Sequence, residues 1–282
     1  METIRRGFRL LGASWQVLKA DRELLVLPVI SFIFIMIASA GLGFMFWSGG
    51  AFEQGAEQFP RGPVDYVLLF VFYFVAYFIG IFFNAAVVGA ATIRLEGGDP
   101  TLSDGLRLAW SKKGKIAAWA AVSATVGLIL RSLEERAGFI GRIVINIIGA
   151  AWSVITFFVV PVLLYEPLGV GQGIKRSATI FKQRWGETFV GAGAIGIASI
   201  IIAIPLGVAT GVLGVISVPL AVIVGVLGFG LLIAVSTALS GIFNAALYRY
   251  ATTGQAPGSF SEEDLRGSFK QKGRRSGLLG GG

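Results

Sequence analysis

The sequence predicts an all-α fold, a polytopic bundle of helices in a membrane, and three observations predict it. Apolar residues make up 55% of the 282 positions and charged residues only 14%, with a mean hydropathy of +0.77, outside the balance of soluble domains. Residues 188–248, between Glu187 and Arg249, contain no Asp, Glu, Lys or Arg, a stretch long enough for two spanning helices. The 24 Lys and Arg residues cluster in alternate gaps between apolar runs.

At about 20 apolar residues per spanning helix, six runs qualify: 24–48, 64–93, 115–131, 143–165, 187–213 and 217–248. The third is short and Ala-rich between Lys115 and Arg131. It spans only if both side chains snorkel to the interfaces, and a re-entrant segment is the alternative. Ala38-Ser39-Ala40 resembles a signal-peptidase site. The apolar run continues through Phe44 to Trp47, however, so an uncleaved first span is expected.

Charge sets the orientation, because Lys and Arg gather in short loops on the cytoplasmic side. With six spans, every Lys and Arg except Arg61, Arg131, Arg136 and Arg142 falls on one side. This predicts an inner-membrane protein with both termini cytoplasmic.

Between the spans lie basic amphipathic segments. Ile4, Phe8, Leu11, Trp15 and Leu18 keep helical spacing opposite Arg5, Arg6, Arg9 and Lys19. Ile174, Ala178, Phe181 and Trp185 repeat the stripe among Lys175, Arg176, Lys182 and Arg184. Leu102, Leu106 and Trp110 do so more briefly near Lys112 and Lys113, after Asp99-Pro100-Thr101 with Asp104 as capping-box partner. Such helices lie in the interfacial plane, Trp and Phe among acyl chains and Lys or Arg at anionic headgroups. The residues expected at anionic lipid are therefore Arg5, Arg6, Arg9, Trp15, Lys112, Lys113, Lys175, Arg176, Lys182 and Trp185. Orientation of the bundle alone is the blander reading.

The resulting unit of basic helix, span, loop and span begins near Gly7, Gly105 and Gly173, giving three hairpin units in parallel orientation. Phe-Asn-Ala-Ala occurs at Phe83 and again at Phe243, 160 positions later, and reads as an element of a duplicated hairpin. Hydrocarbon cannot satisfy the amides of Asn84 and Asn244, so each is expected to face another helix while the alanines permit close approach. The alternative is a polar path lined by both. Pro161 stands near the end of its span, and Pro205 is the proline well inside one.

No cysteine or histidine is present, which removes disulfides, thiolate metal sites and imidazole-assisted nucleophiles. No enzymatic activity and no cofactor are expected. Arg94, Arg249, Glu166 and Glu187 stand at span ends, where ion pairing is expected. Gly207 and Gly211 form a GxxxG pair in a glycine-dense last hairpin that can pack within the bundle or against another copy. Residues 1–253 read as one membrane domain and 254–282 as a basic, largely flexible cytoplasmic tail. Gly254, Pro257 and Gly258 form its linker, Ser259 and Glu262 cap a short helix, and Lys270, Lys272, Arg274 and Arg275 suit a membrane surface rather than nucleic acid.

The layout around Pro161, Glu166, Lys175, Arg176, Ser177, Lys182 and Trp185 is similar to an uncharacterised bacterial and archaeal family of six-span membrane proteins with a domain-of-unknown-function label. It resembles more distantly the membrane domain attached to some glycerophosphodiester phosphodiesterases, whose reaction belongs to a separate soluble domain. The resemblance implies no catalytic residue here. The expected role is a membrane scaffold, lipid-associated factor or accessory subunit, in contact with anionic lipid and with a second copy or a membrane partner. The alternative is a small transporter or channel with a pathway between the hairpins.

Overall fold

The computed structural model describes residues 2–48 and 62–262, together with Leu265; side chains are described for all of these except 2–4, 46, 48 and 183–192. The first interhelical loop with Arg61, the side chains of Ile4, Arg184, Trp185 and Glu187, and the tail with Phe269 and its basic run lie outside the described residues. Within them there are nine helices and no strand: α1 (Glu2–Ala20), α2 (Val26–Ser48), α3 (Pro63–Leu95), α4 (Leu102–Ser111), α5 (Lys113–Arg136), α6 (Phe139–Ile155), α7 (Val159–Tyr165), α8 (Val170–Ile216) and α9 (Val218–Thr253). A 3₁₀ turn, Arg22–Leu25, joins α1 to α2.

Six helical segments are long and apolar enough to cross a membrane: Arg22–Met45, Pro63–Leu95, Lys113–Arg136, Phe139–Tyr165, Gly193–Ile216 and Val218–Thr253. The short third run is thus part of an unbroken helix of 24 residues. Two boundaries differ from the sequence reading. The basic segment at Ile174 to Trp185 is no separate helix, since α8 runs on from it into the apolar run through Pro205. The fourth span, by contrast, is broken between α6 and α7.

The buried core lies in the half of the bundle toward which the basic segments point, here called the basic end. Ala85 to Thr92 of α3, Leu239 to Leu247 of α9 and Val159 to Leu164 of α7 are nearly all inaccessible. The opposite half of the long helices exposes large apolar side chains, among them Ile200, Ile204, Val215, Ile223 and Leu227. An apolar surface this continuous is foreign to a soluble monomer and suits lipid, which leaves no hydrophobic force to pull helices together.

The two Phe-Asn-Ala-Ala copies meet. A Cβ built on Gly241 would come within 2.7 Å of Val87 Cγ1 and 3.6 Å of Asn84 Nδ2, so α9 lies against α3 where both motifs sit. All four motif alanines are buried. In the last hairpin, close packing falls on Gly225 and Gly228 of α9, facing Thr210 and Leu206, whereas Gly211 of the GxxxG pair faces open space.

α4 begins as its sequence signals. The Thr101 hydroxyl accepts from the Asp104 N–H, and the Asp104 carboxylate accepts from the Thr101 N–H. The Thr101 hydroxyl proton, donated to the Asp104 carboxylate at 2.6 Å, and then the Thr101 N–H hold that carboxyl below its ordinary pKa range. The segment after α9 is no free linker: Pro257, Phe260 and Leu265 are buried, the last two within the main core.

Candidate functional site

Three places gather the polar groups that an apolar bundle has reason to position: the basic end, the helix break and a cleft on the opposite side of the break.

At the basic end, charges close the helices against one another. Arg94 at the end of α3 donates to both carboxylate oxygens of Asp21 and to Asp99. Arg249 of α9 pairs with Glu96. Glu166 accepts from Arg176 Nε at 3.0 and 3.1 Å and from the Tyr248 hydroxyl at 3.1 Å, while Lys115 donates to the Glu166 carbonyl at 3.0 Å. The Asp21 side chain is 8% exposed, against 92% for Asp99. Burial makes the first pair structurally consequential and leaves the second worth little. The pairing expected for Arg94, Arg249 and Glu166 therefore has named partners.

The residues assigned to anionic lipid divide. Arg5 and Arg9 are exposed on α1 and Arg6 is half-buried; Trp15 is exposed with Lys19 Nζ 5.7 Å from its ring centre. Lys113 lies 4.3 Å over the Trp110 ring beside a half-buried Lys112. Lys175 and Lys182 are exposed, but Arg176 is engaged by Glu166. The α1 residues against the core are Leu10, Ser14, Val17 and Leu18. Phe8, Leu11 and Trp15, read from sequence as one stripe with Leu18, instead line a neighbouring groove of about 390 Å³ between α1, α8 and α9.

The break at Thr156 to Phe158 follows from Pro161. Proline has no N–H for the carbonyl four residues back, here Phe157, and its ring crowds that carbonyl. Each stranded group finds another partner. Asn244 Nδ2 donates to the Phe157 carbonyl at 2.7 Å. The Ser177 hydroxyl, fully buried, donates to the Ile155 carbonyl at 2.6 Å and accepts the Phe158 N–H at 3.0 Å. So Asn244 serves a broken helix; its Oδ1 is buried without a partner among the described residues. Asn84 lies beside Gly241, and neither Asn lines any of the cavities described here. The alternative reading of the pair, a polar path lined by both, finds no support in these cavities.

A polar cavity is present elsewhere. Between α3, α5 and α6 lies a cleft of about 580 Å³, running from Glu134 at the end far from the basic loops to Trp119, Trp152 and Thr156 at the break. α6 and its C-cap contribute Asn146, Gly149, Ser153 and Thr156, and α5 contributes Ser123, Gly127, Leu130 and Glu134. Each set keeps helical spacing and so forms one face. α6 itself has no buried residue; it stands off from the bundle, and the gap is the cleft. The signal that finds it in sequence is the series Arg142, Asn146, Gly149, Ser153, Thr156, small or polar at every step of an apolar helix.

These features define a class: a helical bundle with six candidate membrane spans, one broken and flanked by a polar cleft. The chain belongs to a family of unknown function, DUF6159, whose model matches residues 63–258, from the start of α3 to just beyond α9. No curated protein and no solved structure matches.

Proposed function

We propose that the chain is a non-enzymatic, multi-pass protein of the inner membrane that associates with anionic lipid through α1. Both termini are cytoplasmic, and three parallel hairpin units are each led by a basic amphipathic segment in the interfacial plane. The observation that carries the reading is the apolar groove between α1, α8 and α9, bordered by Phe8 and Trp15 on the helix that bears exposed Arg5 and Arg9. An acyl chain fits such a groove, and an anionic headgroup meets the guanidinium groups above it.

Native mass spectrometry of the protein extracted with its own bilayer into polymer nanodiscs tests this. A stoichiometric anionic lipid is expected on the unaltered chain and its loss on Arg5→Glu/Arg9→Glu. Retention of that lipid by the double variant, or no bound lipid on either, would refute the reading. A bound protein or a bare homo-oligomer would then favour an accessory subunit or scaffold. Topology is tested separately on Arg136→Cys, which is clean because the chain has no cysteine. An impermeant thiol reagent is expected to label it only from the non-cytoplasmic face.

A second reading, a small transporter or channel, is favoured by one observation: the cleft ends at a helix break, where transporters place substrates. It requires the cleft to open toward the basic end as well. The same labelling applied to Ser123→Cys decides, since reactivity from both faces supports a conduit and reactivity from one face opposes it.

A further inference from the structure

The cleft between α3, α5 and α6 shares no lining residue with the α1 groove and has a lining of its own chemistry. Four of its features point to a ligand. Ser123 is only 7% exposed, and no protein group pairs with its hydroxyl among the described residues. The Tyr77 hydroxyl lies so close to Gly127 that a Cβ there would come within 3.0 Å of it, and like the Asn146 amide it faces the cavity with no hydrogen-bond partner among the described residues. Ser153 and Thr156 spend their protons on the carbonyls of Gly149 and Trp152, at 3.0 and 2.8 Å, leaving lone pairs to the cavity. Glu134 at the mouth is the one carboxylate in the lining, which has no Lys or Arg. Its neighbour Arg131 is turned to Glu135 and the Tyr73 hydroxyl.

A lining that accepts more than it donates, carries one carboxylate without a cationic partner among the described residues, and ends on aromatic rings selects positive charge on an apolar body. Trp119 and Trp152 lie tilted against each other at the floor, 5.9 Å between ring centres, and Tyr77 forms a side wall. Aromatic faces attract organic cations, more strongly away from water. The volume, about 580 Å³, is that of a small-molecule site. From Trp119 to Glu134 the cleft is about 22 Å long at 1.5 Å per residue, so one elongated molecule can reach both ends. We propose that this cleft binds a lipophilic organic cation, its charge toward Glu134 and its apolar body against Tyr77 and the Trp119–Trp152 pair.

The test uses the full chain in nanodiscs and two elongated amphiphiles of one chain length and opposite head charge, decyltrimethylammonium and decyl sulfate, in equilibrium dialysis with empty nanodiscs subtracted. Saturable binding of decyltrimethylammonium, near one per chain, is expected, with at least tenfold weaker decyl sulfate binding. Glu134→Gln, at an exposed position, is expected to weaken the cation at least tenfold. Asn146→Leu, also exposed, is expected to weaken it by narrowing the cleft without disturbing the core. Absence of saturable cation binding, equal binding of both ions, or binding unchanged by Glu134→Gln would overturn the proposal.

Discussion

Gly105→Ala is expected to lower the thermal stability of the detergent-solubilised chain by about 3 kcal/mol, near the top of the usual range for overpacking. A single methyl has so large an effect because of what it meets. A Cβ on Gly105 would lie 2.5 Å from the Ala86 carbonyl oxygen, 3.2 Å from its carbonyl carbon and 3.3 Å from Ala90 Cβ. Two of these atoms are backbone of a buried stretch of α3, so no rotamer can relieve the contact. α4 must lift from α3, although its capping box fixes where it starts. Gly114→Ala is the control, since a Cβ there meets nothing within 4 Å. Gly114 stands in the first turn of α5, where alanine is still a better helix former than glycine, so stability should hold or rise slightly. Equal effects of the two substitutions in a thermal-shift series would show that close approach at Gly105 is not what holds α4.

Much of the architecture is legible in the sequence because the bilayer demands long apolar runs, and hydropathy averages detect them. The Thr101 and Asp104 cap is legible too, being local: two residues three positions apart supply both halves of the box. Pro161 shows where such reading stops. Near the end of a span it looked harmless, yet a proline acts four residues back, and the break at Phe157 persists because Asn244, 87 positions away, answers the freed carbonyl. Pro205, conspicuous in mid-span, leaves α8 unbroken as a helix. The cleft escaped for a different reason. Averages hide a polar face when Asn146, Ser153 and Thr156 are diluted by Ile and Val on the remaining faces of α6. Only periodicity separates them, whereas the repeated motif at Asn84 and Asn244 is conspicuous in sequence yet holds groups that the fold spends on packing.

The break offers the sharpest energetic test. Ser177→Ala removes an acceptor from the Phe158 N–H and a donor from the Ile155 carbonyl. Leaving buried groups unpaired costs about 1–3 kcal/mol each, so a loss of about 2–4 kcal/mol is expected. Asn244→Leu should cost less, about 1 kcal/mol, because it strands the Phe157 carbonyl but also eliminates the unpaired Oδ1. Hydrogen bonds between membrane helices often measure only about 0.6 kcal/mol, since the alternative state finds other partners. At Phe157 the helix has no such alternative while residue 161 is proline. Pro161→Ala supplies the missing N–H, after which the helix itself can satisfy that carbonyl. The Asn244→Leu penalty should therefore shrink in the Pro161→Ala background, with a coupling of at least about 0.5 kcal/mol in a double-mutant cycle. If Asn244→Leu costs the same in both backgrounds, the amide serves something other than the broken helix, and the unpaired Oδ1 becomes the place to look for it.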